Sequence, residues 1–138
     1  MKHKLKKLQI LQLFLLILTV LLIFTQSAMP PHLSSSESGF VTRLLYPLLT
    51  KILPAGADME HFVRKAGHFT EYLILGPQAA LGWLSFLKEA ARTWPARLVF
   101  SAFALWLTAF LDETIQIFSG RGPQIQDVWL DLAGGLCG

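Results

Sequence analysis

Three groups of polar side chains interrupt long apolar stretches: His68 and Glu71 in KAGHFTEY, Asp112, Glu113 and Gln116 in LDETIQIF, and Arg121, Asp127 and Asp131 in GRGPQIQDVWLD. Ionisable groups in or beside hydrocarbon are expensive to place, so their concentration at three points marks where recognition or chemistry is expected. Lys65, His68 and Glu71 or Tyr72 recur at three-to-four-residue spacing, which puts them along one face of a helix. Asp112 and Gln116 are four apart, as are Asp127 and Asp131, so each later helix also carries a polar stripe one turn long. Glu113 lies about 100° around its helix from Asp112 and is expected to face a different neighbour. Gly120 and Gly122 flank Arg121, allowing the backbone to turn sharply and the guanidinium to reach a carboxylate.

Five carboxylates, Glu71, Asp112, Glu113, Asp127 and Asp131, face few cations: Arg121, Lys65 and Arg64. In a poorly solvated pocket that excess calls for a proton, a metal ion or a cationic ligand. Three readings compete. The groups could form an ion-pair network locking helix ends together, a binding pocket for an envelope ligand head group, or a catalytic or metal site. In the last, His68 would act as general base or ligand beside Asp112 and Glu113. No nucleophile motif, phosphate loop or HExxH is present, so no enzyme class is assigned. No cofactor is identified and no residue is committed to a metal.

The elements that carry these stripes are hydrophobic. The chain of 138 residues is 53% hydrophobic and 15% charged, too apolar for an ordinary soluble domain of this size. A net charge of +3 comes without the basic stripe interleaved with aromatics that nucleic-acid binding needs, so no nucleic-acid partner is expected. The single cysteine, Cys137, can form no internal disulfide.

Behind the basic opening KHKLKK, an apolar run from Leu8 to Phe24 has the length of a spanning helix, and a cleaved signal peptide is its rival. PPHLSSSESG and LPAGAD read as turn-rich punctuation around Phe40 to Leu53, an amphipathic piece in the interface or an irregular loop, with Pro47 arguing against a long straight helix. Asp58 can cap a second span continuing to Leu87, with a kink expected at Pro77. Leu98 to Phe118 forms a third, and Pro123 suits the first turn of a fourth starting near Gln124. Gly134 and Gly138 form a small-x-x-x-small pair for close helix approach. The basic N-terminus and the loop from Lys88 to Arg97 prefer the cytoplasmic side, which puts all three polar groups at the outer face.

Taken in order, KAGHFTEY with Leu73 and Gly76, DETIQIF, the Gly120–Arg121 pair and DVWLDLAG from Asp127 to Gly134 resemble the VanZ-like family of bacterial membrane proteins. The resemblance covers about half the chain, from Lys65 to Gly138. It implies a small helical bundle in the cell membrane and a link to low-level resistance to the glycopeptide teicoplanin, with no established biochemical activity. The family's characteristic polar positions fall on Lys65, His68, Tyr72, Asp112, Glu113, Gln116, Arg121, Asp127, Asp131 and Gly134. Asp131 stands where Asn is common in the family, and Gln124 replaces a small hydroxyl residue. Gln124 to Gly138 is 15 residues, about 22 Å of helix against roughly 30 Å of hydrocarbon, so either the chain is truncated or this helix stops mid-membrane.

The expected architecture is all-α, an integral membrane four-helix bundle with an interfacial amphipathic helix in the first outer loop. Residues 1–26 form the first transmembrane helix, 27–57 the outer loop with its interfacial helix, and 58–138 the VanZ-like core. The chain is expected in the cell membrane as a multi-pass protein with a cytoplasmic N-terminus. An outer-face pocket of Lys65, His68, Glu71, Tyr72, Asp112, Glu113, Gln116, Arg121, Asp127 and Asp131 would engage a cell-wall precursor, lipid head group or glycopeptide, with Arg121 and Lys65 pairing phosphate or carboxylate and Asp127, Asp131 and Glu113 holding the cations and the turn in place. The alternative is a membrane-embedded enzyme acting on a lipid-linked substrate, with His68, Asp112 and Glu113 as acid/base groups or metal ligands.

Overall fold

The computed structural model describes residues 2–86, 93–122 and 124–138, and among these every regular element is helical. Five helices follow in order: α1 Lys2–Ser27, α2 Pro31–Ile52, α3 Met59–Phe86, α4 Trp94–Phe118 and α5 Ile125–Cys137. The expectations for Lys88, Arg92 and Pro123 fall outside the described residues.

α1 is built from straight-chain and aliphatic residues with no Pro or Gly to break it. Two helices, over Lys6–Ser27 and Trp94–Phe118, are long and apolar enough to cross a membrane. Their side chains point mostly outward: Ile10, Phe14 and Leu21 of α1 and Val99, Phe103 and Ile117 of α4 are all at least half exposed. Continuous apolar surface of this extent suits a lipid environment rather than water. What α1 does bury is specific, since Ile23 joins a core of Tyr72, Leu75, Ala79, Leu105, Ala109 and Val128.

The second helix departs from the sequence reading. PPHLSSSESG is helix from Pro31 onward rather than turn, because Pro31 occupies the first turn, where its missing N–H costs nothing, and the single Pro30 carbonyl accepts from both the Leu33 and Ser34 N–H groups. Pro47 lies inside α2 without ending it. The apolar stripe of Phe40, Leu44, Leu48 and Ile52 is exposed and only its Leu49 is buried, so α2 is a helix carried on the bundle, not an irregular loop packed into it. It is tied to α3 by the Ser38 hydroxyl, which donates to Glu60 Oε1 at 2.8 Å, and Glu60 in turn accepts from Arg64 at 3.4 Å.

α3 touches all four other helices. Asp58 caps it as expected, accepting from the His61 N–H at 2.9 Å. The helix runs on through Pro77 to Phe86. Against it lies α5, drawn in by glycines: a Cβ on Gly76 would strike the Gly135 carbonyl, one on Gly134 the Phe69 carbonyl, and one on Gly138 the Leu73 carbonyl. The Gly134 and Gly138 pair therefore works as its spacing suggested, with Gly76 and Gly135 as further members of the seam.

Candidate functional site

The first side chains to meet are those of His68, Asp112 and Asp131, from α3, α4 and α5, each offering a ligand atom within 4.8 Å of the others. His68 Nδ1 lies 3.6 Å from Asp112 Oδ2 and 3.8 Å from Asp131 Oδ1. Both carboxylates have 0% exposure, and none of their four oxygens makes a hydrogen bond. The Ser27 hydroxyl and the Gln116 amide stand beside Asp112, yet neither closes a hydrogen bond of ordinary geometry with it. One turn along α3 from His68, Tyr72 is fully buried with its hydroxyl unpartnered.

Glu113 has a separate task, as its angular offset implied. Its Oε2 accepts the backbone N–H of Gln124 at 2.9 Å and its Oε1 accepts from Gln116 Nε2 at 3.1 Å. Gln124 is the N-cap of α5, so this carboxylate sits on a helix N-terminus, where its charge suits the helix dipole. Both Glu113 oxygens hold the α4–α5 turn, and the acid that faces His68 beside Asp112 is Asp131.

The turn itself explains Gly120. Arg121 N–H bonds the Gln116 carbonyl at 3.0 Å and Gly120 N–H bonds that of Ile117 at 3.3 Å, the paired closure of a helix end that needs a left-handed residue. Gly120 supplies it with φ +77°. Gly122 does not adopt positive φ.

Lys65 meets one of the acids expected to hold it, whereas Arg121 is engaged otherwise than expected. The Lys65 ammonium pairs with Asp127 and reaches Gln124 Oε1 at 3.5 Å, tying α3 to the first turn of α5. Arg121 Nη1 donates to the Gln26 carbonyl at 3.1 Å, so its close partner is a backbone oxygen of α1 rather than a carboxylate. Burial, and then the nearby Arg64, hold the Arg121 guanidinium below its usual range.

Two cavities open over this region. One of about 200 Å³ is lined by His61, Arg64, Lys65, His68, Arg121 and Asp127, among others. The larger, about 950 Å³, runs between α2 and α3 along mostly apolar walls that include Phe40, Leu45, Phe62 and Ile74. Arg43, Arg64, Arg121, Glu71 and His68 also line it. Arg43 and His61 escaped the sequence reading because they sit outside the three polar groups. A signal for Arg43 existed in its place off the apolar stripe of α2.

A family model described as VanZ/LLP1 matches residues 12–138, taking in most of α1 and all of α2 as well as the motifs from Lys65 onward. No curated protein and no solved structure matches the chain.

Proposed function

Because the chain belongs to the VanZ/LLP1 family, we propose that it is a cell-membrane protein that binds an anionic amphiphile of the envelope, its head group among arginines and its tail along the α2–α3 groove. The observation that carries this reading is the larger cavity, in which apolar walls meet Arg43, Arg64 and Arg121 in one chamber of ligand size. Arg64 stands close enough to Arg121 to disfavour the charge of that buried guanidinium, which an anion would favour. Lys65, held by Asp127, keeps α5 on α3 rather than serving the ligand.

In this reading α1, α3, α4 and α5 enter the membrane, the N-terminus is cytoplasmic, and α2 rides at the outer interface with its exposed apolar stripe in lipid. A lipid-linked wall precursor or a phospholipid head group has the required chemistry. Occupancy by a precursor would change glycopeptide access at the surface and so produce low-level teicoplanin resistance. The enzyme reading draws on one observation, the unsatisfied His68, Asp112 and Asp131 set, with His68 lining both cavities.

Native mass spectrometry of the protein in nanodiscs, offered an undecaprenyl pyrophosphate lipid, phosphatidylglycerol and phosphatidylcholine, tests the proposal. Anionic lipids are expected to be retained and the zwitterionic one lost. The double substitution R64A/R121A should abolish the preference while the protein remains folded. Equal retention of all three lipids, or an unchanged preference in the double variant, would overturn it.

A further inference from the structure

His68, Asp112 and Asp131 form a pit that the ligand-binding reading does not use. Two carboxylates with 0% exposure sit opposite a half-buried imidazole, and neither the four carboxylate oxygens nor the facing Nδ1 has a hydrogen-bond partner. Leaving two such acids charged and unpaired costs several kcal/mol each, so the set calls for protons or a cation among its members.

The spacing indicates what. At 3.6 and 3.8 Å the imidazole nitrogen is too far from either carboxylate for a direct hydrogen bond. Two ligands on one first-row cation, each bonded at about 2.0–2.2 Å in tetrahedral geometry, stand about 3.3–3.6 Å apart, a range that the His68–Asp112 separation meets and that the 3.8 Å His68–Asp131 separation reaches with a small inward shift. Protons shared among the three groups would instead draw them into hydrogen-bond contact. We propose that His68 Nδ1, Asp112 and Asp131 hold a divalent transition-metal ion at the meeting point of α3, α4 and α5.

Charge supports the assignment, since two carboxylates, a neutral imidazole and a dication sum to zero in a place where water cannot screen a surplus. One nitrogen and two carboxylate oxygens suit zinc, manganese or ferrous iron and disfavour soft copper(I). The buried, unpartnered Tyr72 hydroxyl on the same face of α3 is placed to serve as a further donor or to bond a ligand carboxylate. His68 also lines both cavities, so it would join the ion to the chamber wall. Glu113, the acid next to Asp112 in sequence, is excluded because the Gln124 N–H and the Gln116 amide occupy it.

The test is metal content, which needs no lipid ligand, so its outcome is independent of the head-group proposal. Full-length protein purified in detergent without chelator is analysed by inductively coupled plasma mass spectrometry, then stripped and reloaded with Zn²⁺, Mn²⁺ or Co²⁺. About one tightly held ion per chain is expected, together with visible Co²⁺ absorption of a low-coordinate site and a lowered thermal midpoint on chelation. Asp131→Asn keeps the volume and removes the charge. It should lose the ion and become insensitive to chelator, whereas Asp58→Asn, at an exposed carboxylate lining neither cavity and whose cap an amide oxygen keeps, should retain both properties. If Asp112→Asn or His68→Ala fails to fold, the wild-type Co²⁺ spectrum and Asp131→Asn still decide. Substoichiometric binding of all three ions, retention of metal in Asp131→Asn, or a more stable Asp131→Asn with no metal in either protein would each overturn the assignment.

Discussion

Asp112 and Glu113 are neighbours in sequence with opposite circumstances. Asp112 has no hydrogen bond and faces His68, whereas Glu113 satisfies the first free N–H of the α5 entry and a glutamine amide. Removing Glu113 leaves the part-buried Gln124 N–H and the buried Gln116 amide without their acceptor, a loss of about 1–3 kcal/mol. Glu113→Ala should therefore lower the thermal midpoint in detergent, and Glu113→Gln, which keeps one acceptor oxygen, should recover part of it. An unchanged midpoint in Glu113→Ala would mean that the turn is held without this carboxylate. Residue types and spacing alone placed both acids in one polar group at the end of α4. The offset around the helix foretold that they part company, but only the neighbours on α3 and α5 reveal which one meets the histidine.

Between elements, the seam of α3 and α5 depends on backbones that approach where side chains would stand. A methyl group on Gly76 meets the Gly135 carbonyl, a backbone atom that cannot swing aside. Gly76→Ala is expected to push the helices apart at a cost of about 1–3 kcal/mol. Gly39, in α2, has nothing within 4 Å of an added Cβ, so Gly39→Ala should be neutral or gain up to about 1 kcal/mol from helix propensity. Thermal melts of the two variants side by side check the contrast, and equal destabilisation would contradict it. The spacing of Gly134 and Gly138 announced the seam, because a four-residue repeat on a helix is a local property. Gly76 gave no such notice of packing, since its partner Gly135 lies across space and in sequence it stood only among the residues of the family resemblance. The start of α2 was hidden for a related reason: a proline pair and a serine run read as turn until Pro31 is seen in the first helical turn, where its lack of an N–H does no harm.

For the whole molecule, the proposed topology can be checked by labelling. In a Cys137→Ser background, His32→Cys and Ser36→Cys in α2 should react with membrane-impermeant maleimide on intact cells, while Lys7→Cys should react only after permeabilisation. The reverse pattern would invert the bundle and move the arginine-lined chamber to the cytoplasmic side. The sequence by itself determined the helical, lipid-compatible character of the chain, the stripes on which its polar residues lie and the family they belong to, because periodicity and hydropathy are properties of neighbouring residues. Tertiary structure alone decided that Asp131 joins His68 and Asp112, that Lys65 is taken by Asp127, and that Arg43 and Arg64 enter the chamber with Arg121. A repeat along the chain fixes which side chains share a face. How far each helix is rotated and shifted against its neighbours follows from packing at contacts remote in sequence, and that rotation selects the groups that meet.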